Sequence, residues 1–133
     1  MKLRYLIFLP ALLPATVLAG TVIYTDSRHM PQNLPDNATV VLLDGPDKLQ
    51  EEMFGQLPAD PRQAEVQSRQ AMASPDWQQK QQQLVTSYHQ VVHAWELGIR
   101  KFPAIVFDDR DVVYGTTDIS QAEMLRQQAG GQQ

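Results

Sequence analysis

From residue 21 onward, short β-branched runs alternate with longer segments in which apolar residues return at helical spacing. TVIYT (21–25) is β-branched and aromatic and predicts a first strand. DSRHMPQNLPDNA (26–38) carries two prolines and several turn formers and predicts a loop. ATVVLLD (38–44) is almost continuously apolar, the pattern of a strand buried on both faces. Gly45-Pro46 opens a helix in which Leu49, Met53 and, at its end, Leu57 recur at i, i+4. Asp60-Pro61 starts a second helix, with an N-cap aspartate, proline at the first helical position and Gln63 as capping-box partner. It runs to about Ala73, and its thin apolar face predicts a surface position. Ser74-Pro75-Asp76 repeats the start signal, and the longest helix is predicted from Pro75 to about Leu97. Trp77, Leu84, Tyr88, Val91 and Trp95 form its apolar stripe, widened by Val85 and Val92, and Gly98 ends it. AIVF (104–107), DDRD (108–111) and VVYG (112–115) read as a β-hairpin. Asp118 with Gln121 caps a last helix carrying Ile119, Ala122 and Leu125, and residues 129–133 are expected to be a disordered tail.

Strand, loop, strand, helices, hairpin, helix: this order predicts one α/β sandwich over residues 20–128. Its mixed sheet would have about four strands, with a helical insertion between strands 2 and 3 and a C-terminal helix. Ahead of it, Lys2 and Arg4 precede the apolar run LIFLPALLPATV (6–17), which is too short and too proline-broken to span a bilayer. Val17-Leu18-Ala19 supplies the small residues read by signal peptidase, so residues 1–19 are expected to be a signal peptide cleaved after Ala19. The mature chain is then exported, with no membrane insertion of its own.

Charge narrows the partners. Two of the 11 basic residues lie in the leader, leaving nine against 15 acidic ones, a net charge of −6. Such a chain lacks the Lys/Arg clusters that nucleic acid or anionic lipid would reward. It also contains no cysteine, which rules out dithiol–disulfide exchange and leaves the fold to its core alone.

Three constellations stand out. Gly98-Ile99-Arg100-Lys101-Phe102 leaves a helix and meets Pro103 at the first residue of a strand, where a missing ladder donor is tolerated. A cis Phe102-Pro103 bond would turn the chain sharply and expose residues 100–102 as a pairing edge, although the dipeptide alone favours an ordinary trans bond. Ser27-Arg28-His29-Met30 follows the first strand, and the i, i+3 pair Ser27 and Met30 can serve contact or recognition but no redox step. His89 and His93 share a helix face that Glu96 continues, and they suggest an alternative role in metal binding. Gln90 stands where a zinc-protease helix has its general base, and an amide cannot activate water. The acidic turn 108–111 lacks the alternating ligands and the glycine of a calcium loop and reads as a solvated tip. With no nucleophile elbow and no phosphate loop, the expectation is a protein without catalytic residues or cofactor.

VIYTDSRHM, VVLLD with its acidic helix, and HAWELGIRKFPAIVFDDRDVVYGTTDI together resemble a family of small exported proteins encoded in bacterial integrating conjugative elements and related conjugative plasmids. The last segment is the most specific: A-W-x-L-G, K-x-P-A, an apolar strand, then V-V-Y-G-x-T-D. The resemblance covers nearly all of the mature chain and is weakest across 58–80. It implies an accessory component of a conjugative DNA-transfer (type IV secretion) apparatus, periplasmic in a Gram-negative envelope, with other proteins of that apparatus as partners.

More distantly, the proline loop and hairpin resemble those of thioredoxin-like proteins that assist pilus and secretion-channel assembly. On that likeness Ser27 and Met30 hold the positions of a Cys-x-x-Cys pair. One departure is plain: only about a dozen residues separate the first two strands, near the minimum for a parallel crossover, so the usual first helix is vestigial or missing. The expectation is a cysteine-free thioredoxin-like domain that binds an extended partner segment through Ser27, Arg28, His29, Met30, Lys101, Phe102 and Pro103.

Overall fold

In a computed structural model the chain is described over residues 20–130. The expected signal peptide and the final residues 131–133 lie outside that range. The elements are β1 (Thr21–Thr25), β2 (Ala38–Leu42), α1 (Gly45–Phe54), α2 (Pro61–Met72), α3 (Trp77–Glu96), β3 (Ala104–Phe107), β4 (Asp111–Tyr114) and α4 (Ile119–Gly130). The four strands form one mixed sheet in the order β2-β1-β3-β4. β1 runs parallel to β2, with Thr21 opposite Ala38 and Thr25 opposite Leu42. It runs antiparallel to β3, with Tyr24 opposite Ala104, and β3 returns as β4 with Ala104 opposite Tyr114. The expected α/β architecture is present, including the helical insertion between β2 and β3 and the C-terminal helix. No helix forms in residues 26–37, so the β1–β2 crossover is made of turns alone.

Strand alternation sends side chains to two separate cores. One face gathers Tyr24, Val41, Ala104 and Val106 against Ala94 of α3 and Ile99, with Val22, Leu97 and Val112 around them. The other gathers Ile23, Ile105 and Phe107 against Ile119 and Ala122 of α4. β3 is buried throughout because it is an interior strand covered on both faces.

α3 packs differently from the predicted stripe. Ser87 and Ala94 are its buried residues, with Trp77, Leu84 and Val91 half-buried. Tyr88, Val85 and Val92 are exposed, and Trp95 is 72% exposed. The reason is close approach. A Cβ on Gly45 would lie 2.7 Å from Ser87 Oγ, so α1 meets α3 where only small residues fit. The larger apolar residues are thereby turned about a quarter-turn aside. Tyr88 keeps a polar tie, its hydroxyl accepting from Gln50 Nε2 at 2.8 Å, and Phe54 meets Trp77 edge-to-face at 5.6 Å. Leu57 falls outside α1, which stops at Phe54 ahead of Gly55, and is exposed.

Two of the three cap signals are realised; before α3, which begins at Trp77, Asp76 makes no side-chain bond to the first turn. Asp60 accepts from the Arg62 N–H with Pro61 in the first turn, and α2 buries no residue. Asp118 accepts from the Gln121 N–H at the start of α4. α4 continues through Gly130, into the segment expected to be tail.

Candidate functional site

The β1–β3 register fixes where the two predicted loops lie. Tyr24 opposite Ala104 puts the residues after β1 and those before β3 at the same end of the sheet. The parallel β1 and β2 also end there, so Asp44 and the start of α1 join them. Ser27, Arg28, His29 and Met30 therefore lie at the same end of the sheet as Lys101, Phe102 and Pro103. The Phe102-Pro103 bond is cis.

Two carboxylates absent from the predicted set organise the first loop. Asp26, only 8% exposed, accepts from the Arg28 N–H at 3.1 Å and holds His29 Nδ1 at 2.6 Å. Burial pushes the Asp26 carboxyl up, but the His29 hydrogen bond and charge and the backbone N–H groups outweigh it, holding the group below the usual carboxylate range. Asp44 accepts from the Ser27 hydroxyl at 2.6 Å and from its backbone N–H at 3.1 Å. Thr25 Oγ1 donates to the His29 carbonyl at 2.9 Å, closing the turn. The Asp-x-x-His spacing is a signal that could have found the first contact; Asp44 reads only as the end of the strand run 38–44. Ser27 gives its hydroxyl proton to Asp44 and not to an imidazole, so Ser27 and His29 do not form the nucleophile–base pair that acyl transfer needs.

The second loop is delivered by the end of α3. Gly98 adopts φ 76°, its N–H bonds the Trp95 carbonyl, and the Ile99 N–H bonds the Ala94 carbonyl. This is the Schellman arrangement, with Ile99 and Ala94 touching in the core. Beyond it Arg100, Lys101 and Phe102 are exposed, and Pro103 is half-buried with its carbonyl accepting from the Gly115 N–H. No backbone N–H or C=O of residues 100–102 has a backbone partner among the described residues. Phe102 and Met30, 51% and 52% exposed, add apolar surface at this end.

The His89, His93 and Glu96 face is not assembled in the same way. His93 Nδ1 approaches Glu96 at 3.4 Å, but its Nε2 turns to Asp109 at 3.0 Å, and His89 makes no bond with either among the described residues. No group of three His, Asp or Glu side chains able to hold a metal ion occurs among the described residues. Asp109 belongs to the hairpin tip, where Asp108 and Asp109 both have positive φ, as aspartate tolerates in turns. Arg126 of α4 reaches the same tip, 2.8 Å from Asp111 and over the Phe107 ring. The acidic turn is thus tied to α3 and α4.

A family model described as "Protein of unknown function (DUF1525)" matches residues 18–129. The chain belongs to this family. The match spans both loops, so the sheet-end arrangement lies wholly within the DUF1525 domain. No curated protein and no solved structure matches this DUF1525 chain.

Proposed function

We propose that this protein is a periplasmic, non-catalytic accessory component of a conjugative DNA-transfer (type IV secretion) apparatus encoded on an integrating conjugative element. It acts by holding an extended segment of another apparatus protein at the sheet end, in the manner of a thioredoxin-like groove without the redox pair. The exported leader and the segments quoted above support the location and the system. The binding role is carried by one observation: residues 100–102 are exposed and their backbone has no backbone partner among the described residues, at the sheet end that also holds the Ser27 loop. Such an edge offers an extended chain its main-chain hydrogen bonds, while neighbouring side chains supply specificity.

Site-directed photocrosslinking tests this in cells that carry the element. A photoreactive phenylalanine analogue at position 102 is expected to trap a protein of the transfer apparatus. The same probe at Val66, exposed on α2, is expected not to. Identical adducts from both positions, or none from position 102 in cells active in transfer, would count against the binding role.

A further inference from the structure

The charges at the sheet end run against those of the rest of the molecule. Arg69 pairs with Glu65, Lys80 with Asp76, and Arg110 and Arg126 with the hairpin tip. Arg28, Arg100 and Lys101 are exposed and have no carboxylate in ion-pairing reach among the described residues. Lys48 and Arg62 also lack one, but they are spread over α1 and α2. Of the carboxylates at this end, Asp26 is engaged by His29 and the Arg28 N–H and Asp44 by Ser27, while Asp47 in the first turn of α1 pairs with none of the three cations. A chain with a net negative charge therefore carries, at the sheet end that exposes Phe102 and Met30, three cations without an ion-pair partner among the described residues.

We infer that the segment bound here is acidic: an extended peptide in which carboxylates flank an apolar side chain. The inference rests on the binding role proposed above and adds the chemistry of the partner. The apolar residue meets Phe102 and Met30, the peptide backbone pairs with residues 100–102, and the flanking carboxylates meet Arg28, Arg100 and Lys101. The acidic remainder of the surface turns away other acidic segments that lack this register, so the charges set orientation as well as affinity.

The test uses the mature chain and three labelled peptides with a Leu-Phe centre, flanked by glutamate, glutamine or lysine, read by fluorescence anisotropy. The glutamate peptide is expected to bind about tenfold tighter than the glutamine one, an advantage that shrinks as added salt screens the charges. The combined reversal Arg28→Glu, Arg100→Glu, Lys101→Glu, with circular dichroism to confirm folding, is expected to abolish that preference and favour the lysine peptide. Equal binding of the glutamate and glutamine peptides, both released by Phe102→Asp, would overturn the acidic preference and leave the binding role standing. Failure of the unaltered protein to bind any of the three would overturn both.

Discussion

The Ser27 hydroxyl donates to Asp44 Oδ2 at 2.6 Å across 17 positions of sequence. This contact locks the loop after β1 to the start of α1. It does so in place of an ordinary helix cap, since Asp44 makes no side-chain bond to the first turn of α1. The loop after β1 is therefore built into the fold. Asp44→Ala would leave the Ser27 N–H and hydroxyl without their acceptor, at a cost of about 1–3 kcal/mol in denaturant unfolding. Ser27→Ala made in that background should cost little more. Additive losses would show that the two residues act independently.

The corrected face of α3 predicts a ranking that its sequence pattern would reverse. Trp95 is the larger apolar residue but points into solvent, so Trp95→Ser should change stability by no more than about 0.5 kcal/mol. Ala94 has no exposed surface and touches the sheet core, so Ala94→Leu should cost about 1–3 kcal/mol by overpacking. Chemical denaturation of the two variants decides it, and a large loss at Trp95 with tolerance at Ala94 would contradict the packing described.

His93 links α3 to the hairpin tip and makes that link sensitive to pH. The hydrogen bond to Asp109 raises its pKa, partial burial opposes this, and Glu96 adds to the rise. A folded pKa above the unfolded value, near 6.5, gives stability that is complete below that value and is lost as pH rises through the folded pKa. The Tm gap between the unaltered protein and His93→Gln should be widest at about pH 5 and close on the alkaline side. A gap of constant size across that range would show that the contact does not depend on the imidazolium.

Much of the architecture was legible because its signals are local. TVIYT, AIVF and VVY are β-branched runs bounded by turn residues, and Asp60-Pro61 and Asp118 with Gln121 carry their cap chemistry within a few positions. The face of α3 was not legible, because a pattern of large apolar residues cannot register that Gly45 brings α1 within reach of Ser87. The sheet end was half legible. Its loops were visible from Pro103 and the residues after β1, and a sheet register then joined them. Asp44 was missed because its role depends on where Ser27, 17 positions away, arrives, whereas the partners of Asp26 lie two and three positions on and were within reach of the sequence. The chain's negative total likewise concealed the local cluster of Arg28, Arg100 and Lys101, which only the distribution of ion pairs exposes.

The sheet end is proposed to serve conjugative transfer by binding. The measurement that tests it is transfer frequency after deletion of this gene from the conjugative element proposed to carry it, with complementation by the unaltered protein or by Phe102→Asp at equal protein levels. Phe102 is exposed, so the variant should fold. The unaltered protein is expected to restore transfer and Phe102→Asp is not. Equal restoration by both, or transfer that never depended on the gene, would contradict it.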